Sequence, residues 1–440
     1  MLDQALLTAV ASAFVAGEPR VTLLIERATQ ALGTPRRWLA PLARRYADAF
    51  AGRTRPRLGD VVEFLERDRS FSRVKLKLSR ARILAAGQLP QMQPAPAASQ
   101  WGLPAIVTVA DLAEWLSLTV GELRWFADLG AMTHRPDRLK LSHYRYHVLA
   151  KGGGRLRLLE APKYRLKLMQ RQILRQILEP IPPHPAAHGF LHGRSIKTFV
   201  APHVGQRVVL RMDLQDFFPT INGVRIQALF RTMGYPEEVA DLLGGICTTQ
   251  SPHWAWADSP PGLDPRRRFD ARQPYARPHL PQGAPTSPAL ANLCTWRIDR
   301  RLTGLAISAG ATYTRYADDL AFSGDASFER GVKRFAAHAA AIVSEEGLAV
   351  NHRKTRIMRQ GVRQHLAGLV ANEIANVPRP EFDRLKAILT NCVSSGLESQ
   401  NREGHPAFQA HLNGRVGFFE AINPDKGKRL RAIFDRIDLR

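Results

Sequence analysis

The stretch RYADDLAFSG (residues 315–324) sets two adjacent aspartates, Asp318 and Asp319, between apolar neighbours in a run that alternates like a β-hairpin. Like charges held in such a place are costly unless a cation neutralises them. A solvated turn is the plain alternative for an isolated Asp-Asp pair, so its company decides. VVLRMDLQDFFPTI (208–221) supplies a third carboxylate, Asp213, at the end of a strand-like apolar run, with the Leu214 carbonyl beside it. Carboxylate and carbonyl oxygens suit Mg²⁺, and two such ions can activate a hydroxyl and stabilise the leaving oxygen of an in-line phosphoryl transfer. The expectation is a metal site built from Asp213, Leu214, Asp318 and Asp319.

The bulk properties agree with a polyanionic substrate. Lys and Arg number 63 against 39 acids, a net charge of +24, which favours nucleic acid as a partner. Hydrophobic residues make up 45% of the 440, enough for a globular fold of two or three domains. Cys247, Cys294 and Cys392 are far apart and have no metal-ligand spacing; reduced thiols in a cytoplasm are expected. No apolar run reaches membrane-spanning length. MLDQALLTAVASAFVAG (1–17) lacks the basic start of a secretion signal and reads as a packed first helix.

Apolar spacing of three and four predicts helices over residues 1–86, the last of them heavily basic (RDRSFSRVKLKLSRAR, 67–82). Residues 87–104, rich in Pro, Gln and Ala, read as a linker. Thr108 with Asp111 and Thr119 with Glu122 mark two helix starts within a helical base at 105–142. A glycine hairpin follows at 143–163, then alternating helices and strands to 372, and a helical, basic stretch over 373–440. A long Pro/Arg/Trp insertion, 251–281, carries Trp254, Trp256, Arg266, Arg267 and Arg268. It reads equally as an RNA-contacting loop or as a surface loop over a small Trp cluster.

YADD (316–319), with RMDLQDFFPTI (211–221) before it and LPQGAPTSPALANL (280–293) between, resembles the reverse transcriptases, and most of all the bacterial retron enzymes. AHGFLHGRSIKTFVAPHVG (187–205), GLAVNHRKT (347–355) and HLAGLVAN (365–372) extend the likeness over about 145–440. The resemblance implies an α+β right-hand polymerase, with fingers over 143–205, a ferredoxin-like antiparallel palm over 206–372 and a helical thumb over 373–440. It implies RNA-directed DNA synthesis with dNTPs and two Mg²⁺ ions. The template would be a structured non-coding RNA, the product a branched RNA–DNA used against phage, and an effector protein a possible partner. Another bacterial defence polymerase without a retron RNA, or a non-catalytic RNA-binding protein on the same scaffold, is the alternative.

By the same resemblance Asp213, Asp318 and Asp319 form the metal-binding triad. Phe218 is the steric gate against a 2′-hydroxyl, with Phe217 as core. Gln282 and Gly283 open a helix that approaches the nascent pair, and Lys151 and Arg157 grip the triphosphate. Lys354 gives a proton to pyrophosphate, HLAGLV forms the primer grip, and His203 meets RNA. Two departures stand out: FVAPH (199–203) keeps only the His of the retron Asn-Ala-x-x-His signature, and LAG (366–368) replaces Val-Thr-Gly.

Overall fold

The computed structural model describes residues 2–16, 19–51, 56–77, 91–132, 141–151, 155–257, 259 and 264–437. The chain forms two compact units, one from 1–182 with 218–290, the other from 183–217 with 291–440.

The first unit begins with helices Leu2–Val15, Val21–Leu32, Leu39–Ala49, Leu58–Arg67 and Arg69–Lys77. Leu24, Ala28 and Leu32 recur at helical spacing and close on a core with Leu7, Phe14, Leu42, Tyr46 and Leu65. These helices are tied to the helix Glu237–Cys247. Arg57 pairs with Asp241 at 3.1 Å and the Leu58 amide donates to the Glu237 carboxylate at 2.8 Å. Within the stretch expected as a linker, the Gln93 amide donates to the Gly234 carbonyl at 2.8 Å and the Ala95 amide to that of Thr232 at 3.1 Å. Pro-rich composition signals neither this docking nor the 3₁₀ helix Pro96–Trp101 within the stretch. Of the basic run 67–82, residues 78–82 lie outside the described residues.

Both expected helix starts carry capping boxes, Thr108 with Asp111 and Thr119 with Glu122. β1 (Tyr144–Lys151) and β2 (Arg155–Pro162) then pair antiparallel. Trp256 and Tyr275 pack beneath the hairpin with Leu158, and Trp254 meets the Tyr146 ring edge-on at 5.2 Å. Both tryptophans therefore pack against the hairpin, Trp256 buried and Trp254 half-buried.

The second unit is built on β3 (Val208–Asp213), β4 (Thr312–Tyr316), β5 (Asp319–Gly324) and β6 (Arg356–Arg359). All neighbours are antiparallel, in the order β4-β5-β3-β6. Numbered by chain order and read from the β6 edge, this is fourth, first, third, second, the ferredoxin-like arrangement. Alternation along β3 turns Leu210 and Met212 to one face and Val209, Arg211 and Asp213 to the other. On the first face Phe322 of β5 meets Phe335 of the helix Ala326–Glu345 at 5.0 Å. On the second, Val209, Ala321 and Met358 join a core with Phe199, Leu366 and the helices Arg379–Ser395, Phe408–Ile422 and Pro424–Phe434. Arg211 and Asp213 continue that face as its polar end. The hairpin of β7 (His365–Leu366) and β8 (Leu369–Val370) turns at Ala367 (φ 45°) and Gly368 (φ 88°), the positive φ pair that a two-residue hairpin favours.

Candidate active site

Asp213 is the last residue of β3 and Asp319 the first of β5, and the register sets them directly opposite. Because Tyr316 pairs with Asp319, Ala317 and Asp318 are the two central residues of the connecting turn. Ala317 takes φ 55°, a left-handed conformation that costs a residue with a Cβ of order 1–3 kcal/mol. The Leu214 amide donates to the Asp318 carbonyl at 2.8 Å, fastening the turn to the end of β3. Asn351 donates its amide to the Asp213 carbonyl at 2.7 Å, so GLAVN lies along the far side of Leu214.

Two cations already occupy this constellation. Lys354 Nζ reaches both Asp213 carboxylate oxygens, at 2.7 and 2.8 Å. Arg211 grips Asp319 with Nε and Nη2 at 2.8–3.0 Å. The carboxyl of Asp318 is raised above its ordinary pKa by burial first, then by the charges of Asp319 and Asp213. Asp319 is raised by burial as well, against the pull of Arg211. Among the described residues no three His, Cys, Asp or Glu side chains form a ready-made metal cage. The reason is visible: two of the three carboxylates are turned to Lys354 and Arg211. The donor set still fits a hard divalent ion. The charges of Asp213, Asp318 and Asp319 act on one another, and the crowded Asp318 is the group whose charge most needs a counter-ion.

The other expected residues fall as follows. His203 is fully buried, with Nδ1 2.6 Å from the Ser323 hydroxyl and Nε2 2.7 Å from that of Thr314. Burial pushes its pKa down to about 3. Both ring nitrogens are spent inside the protein, so His203 braces β4 and β5 and is not placed to touch RNA. Phe217 is buried, and Phe218, in the short helix Phe217–Thr220, is half-buried in the first unit. Gln282 and Gly283 do not open a helix: the helix starts at Ser287, and the pair forms a turn against β2. The Glu160 amide donates to the Gln282 carbonyl at 2.9 Å, and a Cβ on Gly283 would stand 2.9 Å from the Glu160 carbonyl oxygen. Glu160 is in turn fixed by His279 Nε2 at 2.9 Å. Arg157 sits on β2 opposite Leu149 and is half-buried, while the side chain of Lys151 lies outside the described residues. Arg266 and Arg267 are exposed and Arg268 half-buried on the helix Pro265–Arg272, which starts at the Asp264 cap.

Arg211 was not singled out from sequence. Its signal is present, since a residue two before Asp213 on a strand must share its face.

The description of the reverse transcriptase (RNA-dependent DNA polymerase) family fits residues 149–379, more than half the chain. The retron Mx65 reverse transcriptase of Myxococcus xanthus is 40% identical over 343 residues, 76% of this chain and 72% of that one. The retron Mx162 reverse transcriptase of the same organism is 35% identical over 351 residues, covering 77% and 68%. The retron Ec86 reverse transcriptase of Escherichia coli is 27% identical over 340 residues, covering 77% and 91%. Together with the antiparallel palm and the aspartates at its edge, these likenesses establish a right-hand polymerase fold with an N-terminal helical region. The chain belongs to the retron-type reverse transcriptases and is an RNA-directed DNA polymerase.

Proposed function

We propose that this polymerase copies a structured non-coding RNA into DNA, starting from a guanosine 2′-hydroxyl within the RNA, and that the branched RNA–DNA product serves in defence against phage. The observation that carries this reading is the 40% identity to a retron enzyme over three quarters of the chain. Asp213, Asp318 and Asp319, with the Leu214 carbonyl, are the residues that would hold two Mg²⁺ ions, which would supply charge stabilisation to the attacking hydroxyl and to the pyrophosphate leaving group. Arg211 restrains Asp319, which makes Asp319 the least direct of the three ligands.

Lys354 gives a proton to the departing pyrophosphate; its ammonium already stands beside Asp213. The Phe218 ring excludes a ribose 2′-hydroxyl. The Gln282–Gly283 turn, held by Glu160, approaches the nascent pair. Lys151 and Arg157 neutralise the triphosphate, an arginine fork being well shaped for phosphate. Arg266, Arg267 and Arg268 contact the RNA backbone. The HLAGLV hairpin holds the primer, and residues 1–86 serve RNA or an effector protein. Burial of Cys247, Cys294 and Cys392 agrees with a cytoplasmic setting.

The test is to express the chain together with the RNA gene beside its own and recover the nucleic acid bound to it. A DNA joined to RNA through a 2′,5′ linkage, released by a debranching enzyme, is expected. DNA made only from added primers, with no branched species, would remove the retron reading and leave the polymerase.

A further inference from the structure

Arg315 is the largest fully buried side chain described, and it lies directly under the aspartate turn. Its Nε and Nη2 hold the two Asp299 oxygens at 2.8 and 2.7 Å. Its Nη1 donates to Asn292 Oδ1 at 3.0 Å and to the Ala317 carbonyl at 3.2 Å. Asp299 also accepts from the Tyr313 hydroxyl at 2.8 Å and is itself fully buried. Asn292 Nδ2 donates to the Gly189 carbonyl at 3.0 Å. Gly189 presses on the same turn, since a Cβ there would come within 2.6 Å of the Ala317 amide nitrogen. The backbone closes the circuit: the Arg315 amide donates to the Ala186 carbonyl and the His188 amide to the Arg315 carbonyl, both at 2.7 Å.

One guanidinium thus joins two helices and the segment before Phe190 to a single left-handed residue. Ala317 has a Cβ and pays for its φ with strain, so it keeps that conformation only if its surroundings over-determine it. A fork with its donors divided between a carboxylate, an amide and a backbone carbonyl does this; an ammonium could not meet all three.

We propose that Arg315, with Asp299 and Asn292, is a positioning device that imposes the Ala317 conformation and so aims the Asp318 carboxylate at its ligand position. The proposal rests on the reading of Asp318 as a catalytic metal ligand.

The experiment compares wild type with the double variant Arg315→Met/Asp299→Leu, which removes both buried charges at once and leaves neither unpaired. Thermal melting, dNTP KM and kcat on a primed RNA, and Mn²⁺ affinity by calorimetry without nucleotide are measured. The expected result is a folded protein with KM within about twofold of wild type, Mn²⁺ affinity weakened several-fold and kcat lower by roughly 10²-fold, the scale of a misplacement of about 1 Å. A folded double variant with wild-type kcat and Mn²⁺ affinity would overturn the proposal. If the double variant does not fold, Asn292→Ala decides by the same readouts. It cuts Gly189 from Arg315 and leaves the ion pair, so a several-fold loss in kcat and Mn²⁺ affinity supports the proposal and wild-type values overturn it. Asp318→Asn in parallel separates the two readings. An active Asp318→Asn defeats the catalytic assignment, whereas an inactive Asp318→Asn beside a fully active Arg315→Met/Asp299→Leu defeats only the positioning role.

Discussion

Arg315 and Asp299, beneath the aspartate turn, are both wholly shielded from solvent, and the guanidinium divides its bonds among Asp299, Asn292 and Ala317. Lys354 and Arg211, at the polar end of the sheet, hold Asp213 and Asp319 with side chains 38% and 25% exposed. The chemistry is the same in both places, a carboxylate against a cation, but the surroundings differ. Removing one partner of the shielded pair leaves a charge with no water to receive it, so that pair is a fixed frame. A cation with solvent at its back can let go and be replaced. The paired charges at the site are suited to exchange with a metal ion, and those beneath it are not.

The largest expected effect breaks the comparison at its centre. Asp318→Asn keeps the shape of the side chain and removes the charge that burial already disfavours. Primer extension should fall to background while the metal-free protein melts no lower than wild type. Near-normal extension would take Asp318 out of the chemistry.

Lys354→Met sharpens the exchangeable side. It should lower kcat by roughly 10²-fold with little change in dNTP KM, the low end of what a lost general acid costs. Metal should bind the variant more tightly in a calorimeter, because Asp213 no longer has to release an ammonium. Weaker metal binding would mean that Lys354 organises Asp213 for the ion and does not compete with it.

Phe217 and Phe218 offer the same kind of contrast in adjacent residues, one buried and one half-buried. Phe217→Val should cost about 2 kcal/mol of stability, as a core truncation does, with unchanged sugar selection. Phe218→Val should shift the ratio of rNTP to dNTP incorporation by roughly tenfold on a primed RNA, the scale of a change in pocket volume. An unchanged ratio would assign Phe218 to packing and place the gate elsewhere.

The smallest effect is one of pH. Asp318 and Asp319 have raised carboxyl pKa values in the fold, so their protonated forms are the favoured ones there. Their contribution to stability is complete below the ordinary carboxylate range and is lost as pH rises through the raised values. The metal-free protein should therefore lose a few degrees of melting temperature from this source as pH climbs through that window, about 2–4 °C for each kcal/mol. Added Mg²⁺ should restore more of it at the upper end than at the lower. A Mg²⁺ shift that does not grow with pH would separate metal binding from these two carboxyls.

Much of this architecture was readable in the chain. The alternation around Asp213 and the Asp-Asp turn mark strands by their period, and both Thr-led helix starts carry their acid three residues on. The frame beneath the turn was not readable. An arginine next to a tyrosine in RYADD is by habit placed at the surface, because Arg is almost never fully buried unless paired. Its partner Asp299 lies sixteen residues upstream in an unremarkable helix. His203 was hidden for a related reason: a histidine in a recognisable signature suggests a ligand contact, and only the strand register shows the two hydroxyls that meet its nitrogens. Gln282 and Gly283 were placed at a helix start because Pro-Gln-Gly precedes a helical run. The tight approach to Glu160 holds them in a turn instead.

Gly189 stands so close to the Ala317 amide that no side chain fits between them. In a mutagenesis library, position 189 should therefore behave as a locked site, since a larger residue needs a simultaneous shift of the aspartate hairpin that no single codon change supplies. Gly193, four residues on, has open space and a φ of +72°, so asparagine or aspartate should survive there. A search of uncharacterised chains could use the same asymmetry as a filter, separating those whose Asp-Asp turn is buttressed in this way from those that share only the two letters.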